Sequence, residues 1–172
     1  MTKTGIQNKR KGFTLTEAMI ATAIIGLLAA IAVIATNKAL ATTRIKQAES
    51  DLAILSTAIK QLAWDTGRWP GGASRLAISY TDNEITNLNV SGMGLLDEGT
   101  NNLYPSWRGP YVREIPEDPW GTSYFFDSDF KSNDSQSAFR PAVGSYGPNK
   151  VQGPGSPGPS YDNDNIYVWV DE

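Results

Sequence analysis

An uncharged run of 19 residues, at positions 18–36, constrains the fold of this chain more than any other feature. As part of a helix over residues 13–36 it spans roughly 36 Å, which exceeds the hydrocarbon core of a bilayer at about 30 Å. Residues 1–12 carry four basic side chains and no acidic one, which favours a cytoplasmic N-terminus. The sequence therefore predicts one membrane-spanning helix with the rest of the chain exported.

A cleaved secretory signal is the alternative interpretation of this run. Its apolar core usually has about 7 to 15 residues and ends at a small-x-small site. Here the run is longer, and the two small-x-small triplets, at 21–23 and 30–32, lie inside it. A retained anchor is therefore favoured.

The helix is predicted to continue from residue 37 to residue 66, where neither proline nor glycine occurs. Apolar residues at alternating spacings of three and four form one stripe: Ile45, Ala48, Leu52, Leu55, Ile59 and Leu62. Gly67 and Pro70 end the helix. The spacing also permits a coiled-coil stalk, but fewer than four heptads precede the next domain, which favours packing against that domain.

Residues 67–172 are predicted to form a globular, β-rich head. Strands are expected at 111–115, 123–126, 139–145 and 166–170, where Ile166, Val168 and Val170 share one face and Tyr167 and Trp169 the other. Five prolines and five glycines make 141–165 a long irregular loop. The expected fold class is α+β, with a long N-terminal helix packed on a small antiparallel sheet.

Composition excludes several classes of function. The chain has no cysteine and no histidine, which removes disulfides, thiolate nucleophiles, zinc fingers and histidine bases. Beyond Gly67, 14 acidic residues outnumber 7 basic ones, so the head is unsuited to bind nucleic acid. The chain is predicted not to be an enzyme.

The segment KGFTLTE at 11–17, followed by the apolar run, resembles the leader of bacterial type IV pilins and type II secretion pseudopilins. The resemblance implies four segments: a leader at 1–12, a membrane and filament-core helix at 13–36, an amphipathic helix at 37–66 and a head at 67–172. It also implies that a prepilin peptidase cuts between Gly12 and Phe13 and that Phe13 is N-methylated.

Glu17 would then be the fifth residue of the mature chain. A carboxylate inside a bilayer costs on the order of 2.5 to 3.5 kcal/mol and usually has a partner, and the sequence offers no charged partner nearby. The resemblance implies that Glu17 and the amino group of Phe13 in a neighbouring subunit pair during filament assembly. A glutamate that reaches the membrane surface is the alternative.

The head resembles the pseudopilin family, and its major subunit above all, in three further segments: DTGRWP at 65–70, GPYV at 109–112 and IPEDPWG at 115–121. The last predicts a turn in which the Asp118 side chain accepts backbone N–H groups and Gly121 permits the exit.

The segments SYGPN at 145–149 and DNDNI at 162–166 resemble those that enclose calcium in the major pseudopilin. The implied side-chain ligands are Asn149, Asp162, Asp164 and Asn165, with carbonyls from Tyr146 and also Val151. Asparagine replaces the family's usual aspartate at 149 and 165, which predicts a weak site. A solvated polar turn is the alternative.

These resemblances imply a structural subunit of the type II secretion pseudopilus, which helps move folded proteins across the outer membrane. Its partners would be its own copies, the prepilin peptidase, minor pseudopilins and an inner-membrane assembly platform. The expected location is the inner membrane, with a single pass and an exported head.

A type IV pilus subunit is the first alternative, although the usual C-terminal cysteine pair is absent. The second is an unassembled anchored head with a carboxylate site from Glu114, Glu117 and Asp118.

Overall fold

The computed structural model describes residues 12–76, 84–100, 102–131, 139–152 and 163–170. Within these ranges lie one α-helix, α1 (Leu15–Thr66), a short 3-10 turn (Pro70–Gly72), and three strands, β1 (Phe125–Phe130), β2 (Arg140–Ser145) and β3 (Ile166–Trp169). The chain divides into two compact units, residues 1–41 and 42–172. The expected α+β fold, a long N-terminal helix with a small antiparallel sheet and irregular connections, is confirmed.

Both ends of α1 have local causes. The helix begins at Leu15, two residues later than expected, because Thr14 caps it: the Glu17 amide donates to Thr14 Oγ1 at 3.3 Å. At the other end Gly67 has φ of +69° and donates its N–H to the carbonyl of Ala63 at 3.0 Å. The predicted end at residue 66 is confirmed, since this left-handed conformation strongly favours glycine.

The first unit contains the apolar part of α1, and all of its described residues, 12–41, are exposed. By length and composition, α1 can cross a membrane.

In the second unit one face of α1 forms the core. Five of the six predicted stripe residues are buried: Ala48, Leu52, Leu55, Ile59 and Leu62. Ile45 is 39% exposed, contrary to expectation, because the head covers the helix only from Ala48 onward. The stripe packs with Tyr124, Phe126 and Val143 of the head, as predicted in preference to a stalk.

The sheet is antiparallel, with the order β1-β2-β3. Phe126, Val143 and Val168 pair across the three strands and contribute to the core that contains the α1 stripe. On the other face, Phe125 pairs with Gly144, where a Cβ atom would overlap the Phe125 ring. The predicted division of β3 is confirmed: Ile166, Val168 and Val170 join the main core, and Tyr167 and Trp169 join an aromatic cluster with Phe125 and Phe130.

Two predicted strands differ from the structure. Residues 111–115 are not a strand: the Tyr111 and Val112 amides share one acceptor, the Leu95 carbonyl, at 2.9 and 3.4 Å. Prolines flank this segment at 110 and 116 and supply no N–H to a ladder. The strand expected at 123–126 instead runs from Phe125 to Phe130, because the buried Phe130 pairs with Arg140 of β2. The pairing shifts between Asp127 and Phe130, where Asp127 Oδ1 accepts the Asp129 amide at 2.9 Å.

Candidate functional site

The predicted processing and assembly residues lie at the exposed start of α1. Phe13 is 88% exposed, and Gly12 and Glu17 are exposed as well. Glu17 Oε2 accepts hydrogen bonds from the Thr14 amide at 2.9 Å and from Thr14 Oγ1 at 2.8 Å. Together with the Glu17 amide bond to Thr14 Oγ1, this is a capping box.

The capping box gives Glu17 a neighbour that the charge analysis of the sequence missed. The pattern Thr14-x-x-Glu17 was visible in the sequence and is the signal that could have found it. Thr14 is uncharged, so these hydrogen bonds orient the carboxylate without neutralising it. A cationic partner for Glu17 is therefore still needed in an apolar environment.

In the head, Asp118 forms the predicted turn. Its Oδ1 accepts the amides of Trp120 at 3.1 Å and Thr122 at 2.8 Å, and its Oδ2 accepts the hydroxyls of Thr122 and Ser145. Gly121 leaves the turn with φ of +80°. Asp118 is buried, whereas Glu114 and Glu117, considered with it as a carboxylate site, are exposed. Both oxygens of Asp118 accept hydrogen bonds within the turn or from Ser145.

Ser145, at the end of β2, links this turn to the predicted ion site. Its hydroxyl donates to Asp118 and accepts the Gly147 amide at 3.0 Å, and the residue is fully buried. Gly147 has φ of +70°, and a Cβ atom there would overlap the carbonyl oxygen of Asp164. Sequence reasoning missed this network, because Ser145 and Asp118 are 27 residues apart and no local pattern connects them.

Three of the four predicted side-chain ligands of calcium lie in two neighbouring segments, 149–152 and 163–165. Asp164 Oδ1 accepts the side-chain amide of Asn149 at 2.9 Å, and Asp164 Oδ2 accepts its backbone amide at 3.2 Å. Asn165 Nδ2 donates to the Gln152 carbonyl at 3.0 Å. The structure thus brings Asn149, Asp164 and Asn165 together. Asp162 lies outside the described residues.

Tyr146, whose carbonyl is a predicted calcium ligand, packs its side chain in the aromatic cluster of the sheet. Its ring stacks on that of Phe125 with the centroids 4.9 Å apart. Burial raises the pKa of the Tyr146 hydroxyl to about 12, and the charges of Glu84 and Asp127 contribute to the rise. The Tyr146 side chain is therefore neutral at physiological pH and belongs to the aromatic face of the sheet.

The residues of the two segments fit a calcium ion in part. Asn165 is 9% exposed, and its Oδ1 has no hydrogen-bond partner among the described residues. A buried oxygen without a donor is costly unless a water or cation satisfies it. Asp164 and the two carboxamides supply the hard oxygen atoms that calcium prefers. In the described ranges no three acidic residues lie together so that they could hold a metal ion, and Asp164 is the only carboxylate of the candidate site among them.

Two family models match the chain in succession. The prokaryotic N-terminal methylation motif matches residues 7–33, and the model of type II secretion system (T2SS) protein G matches residues 35–156, more than half of the chain. The chain belongs to the T2SS protein G family. Membership of this family favours the pseudopilin interpretation of the leader and the head over the pilus alternative.

Curated relatives in the protein G family cover about two thirds of the chain. Type II secretion system core protein G of Pectobacterium carotovorum subsp. carotovorum is 31% identical over 118 residues, which span 67% of this chain and 65% of that protein. The protein of the same description from Klebsiella pneumoniae is 32% identical over 118 residues, covering 67% of this chain and 73% of the relative. The Aeromonas hydrophila protein is 30% identical over 122 residues, covering 69% and 73%.

Among solved structures, the crystal structure of the major pseudopilin from the type 2 secretion system of enterohaemorrhagic Escherichia coli has a TM-score of 0.49 and 21% sequence identity. It matches 79% of this chain and 93% of that chain.

Replacing Ser145 with alanine should destabilise the head by about 1 to 3 kcal/mol, because the buried Asp118 carboxylate loses a donor and the Gly147 amide loses its acceptor. Urea unfolding of the full-length chain in detergent, followed by tryptophan fluorescence, measures the change. The control is Ser123→Ala, which changes a half-buried serine just after the Asp118 turn. Equal stability of the two variants would contradict the network.

Proposed function

We propose that this chain is a structural subunit of the type II secretion pseudopilus and helps move folded proteins across the outer membrane. The observation that carries the proposal is the protein G match over residues 35–156, directly preceded by a methylation motif on an exposed apolar helix. The role is mechanical rather than catalytic: the helices form the filament core and the heads its surface.

The exposed side chains of the first unit support assembly through α1. Its large apolar residues from Phe13 to Leu40 are all more than half exposed. A continuous apolar surface of this kind requires lipid or other helices as its environment. The same surface therefore serves first in the membrane and later in the filament, where neighbouring helices replace lipid.

Glu17 would set the register of the subunits. Its carboxylate contacts only neutral Thr14 among the described residues, and cleavage after Gly12 would create a cationic amino group on Phe13 of each copy. Pairing of Glu17 with that amino group of a neighbour neutralises two charges in apolar surroundings. Removing one partner of such a pair is strongly destabilising.

The proposed location is the inner membrane, with residues 1–12 in the cytoplasm and the head in the periplasm. The basic leader and the mixed charges after residue 36 support this orientation. The proposed partners are the prepilin peptidase, minor pseudopilins and the inner-membrane assembly platform. Family membership supports the secretion system as the setting for these partners.

Processing is tested by the mass of the chain extracted from membranes that contain a prepilin peptidase. We expect a chain that starts at N-methylated Phe13. Gly12→Val should block cleavage because it enlarges the residue before the cut, whereas Gly5→Val changes another leader glycine and should be cleaved normally. A wild-type chain that retains Met1 would refute processing.

Assembly is tested by two substitutions of Glu17. Glu17→Gln keeps a side chain that can complete the capping box but removes the charge, and Glu17→Ala removes both. If the charge sets the register, both variants insert in the membrane and fold their heads but lose filaments to the same extent. Electron microscopy and cross-linking measure the filaments. Normal filaments from Glu17→Gln would show that the cap, not the charge, matters.

Calcium binding by segments 149–152 and 163–165 is the second part of the proposal. Asp164 and Asn165 would hold the ion, and Asn149, Asp162 and the Tyr146 carbonyl are the further ligands that the family resemblance implies. The partnerless Asn165 Oδ1 supports this assignment. With one described carboxylate, the affinity should be low, with Kd of about 10⁻⁴ to 10⁻³ M.

An ion that binds only the folded head stabilises it by about 2.7 kcal/mol at a hundredfold excess over Kd. The full-length chain in detergent should therefore melt at a higher temperature in calcium well above Kd than in chelator, and Asp164→Ala should abolish the difference. Magnesium at the same concentration controls for ionic strength, because it tolerates irregular oxygen sites poorly. Identical melting curves in calcium and chelator would rule out the site.

A further inference from the structure

Asn149 and a cation at the proposed calcium site would contact the same carboxylate. Asn149 donates from Nδ2 to one oxygen of Asp164 at 2.9 Å and from its backbone amide to the other at 3.2 Å. N–H donors and cations both approach a carboxylate along its oxygen lone pairs. The two N–H groups of Asn149 therefore take up one lone-pair position on each oxygen of Asp164, and a cation that binds both oxygens together competes with them.

The orientation of the Asn149 carboxamide is fixed from both ends. Its Oδ1 accepts the Val151 amide at 2.8 Å, while its Nδ2 faces the Asp164 carboxylate. The reverse orientation would place an oxygen against the carboxylate and an NH₂ group against an N–H donor, which are two unfavourable contacts. In the described conformation the Asn149 side chain thus offers Asp164 a donor rather than offering a cation a ligand.

Asn165 differs from Asn149 in this respect, although both replace an aspartate of the family pattern. The Asn165 carboxamide uses its nitrogen on the Gln152 carbonyl and leaves its buried oxygen without a partner among the described residues. An oxygen in that state can ligate a cation without breaking a hydrogen bond. Of the two asparagines, only Asn149 must give up a contact for the ion to bind.

We infer that Asn149 sets the calcium affinity of this chain by acting as an internal substitute for the ion. Without calcium its amide bridges segment 149–152 to Asp164, and calcium must displace that amide to bind. This inference rests on the calcium site proposed above and adds its affinity-determining residue. It also explains how the two segments can remain joined when no cation is bound.

Replacing the amide with a carboxylate reverses both effects. Asn149→Asp removes the donor and places a second negative charge beside Asp164, which weakens the ion-free loop by repulsion. The same substitution raises the ligand charge, which strengthens a calcium site. We expect Asn149→Asp to bind calcium on the order of tenfold more tightly than wild type and to melt at a lower temperature than wild type in chelator.

Calcium titration by isothermal calorimetry and melting in chelator, both on the full-length chain in detergent, test this inference. Asn163→Asp is the matched control, because it makes the same change at an exposed position next to Asp164. Tighter binding by Asn149→Asp with little change in Asn163→Asp would support the inference. Equal gains in the two variants would overturn it and leave only a general effect of charge.

The remaining outcomes separate this inference from the calcium proposal. If wild type binds calcium and Asn149→Asp binds no more tightly, the inference is wrong and the calcium proposal stands. If Asn149→Asp binds but wild type does not, the native calcium site is refuted, and the inference about its affinity is refuted with it. If neither binds, both are wrong, and the proposed role in the pseudopilus is unaffected.

Discussion

Burial along one stripe of α1 is the constraint on which the rest of the structure depends. From residue 12 to residue 47 every helix residue is exposed, and from Ala48 onward one face is covered. Leu52, Ile59 and Leu62 are fully buried. The chain has no disulfide to stabilise its head, so this packing must supply most of the free energy that holds the sheet to the helix.

Polar side chains fix the parts of the head that have no regular structure. The Tyr124 hydroxyl donates to Asp51 of α1 at 2.9 Å, and the Tyr111 hydroxyl donates to Asp65 near the end of the helix at 3.1 Å. Burial raises the pKa of both tyrosines, and the adjacent carboxylates raise it further. Both hydroxyls are therefore protonated and able to donate at physiological pH.

The sequence was sufficient where local chemistry decides the structure. The end of α1 follows from Gly67, the helix stripe and the two faces of β3 follow from hydrophobic periodicity, and the turn at Asp118 follows from its own residues. These predictions are confirmed except at Ile45, the first residue of the predicted stripe, which is exposed. The family resemblance supplied the candidate ion ligands, but only the structure shows that Asn149 and Asn165 use their carboxamides differently.

The errors arise where long-range contacts override local pattern. Residues 111–115 have the composition of a strand, yet two of their amides bind Leu95, 16 and 17 residues earlier in the chain. β1 continues through Asp127 and Asp129 although buried acidic residues normally argue against a strand interior. Burial raises the pKa of Asp129, and the charge of Glu84 raises it further. The buried Asp129 carboxylate is therefore easier to protonate than an exposed one.

The hydrogen bonds around Ser145 make the candidate ion site part of the head rather than an appended loop. Ser145 ends β2 and contacts the Asp118 turn on one side and Gly147 on the other, and Gly147 approaches the Asp164 backbone too closely for any side chain. A chain of contacts thus connects Asp164 through Gly147 and Ser145 to the turn that precedes β1. The fold therefore contributes to the position of Asp164 through the close contact of its backbone with Gly147.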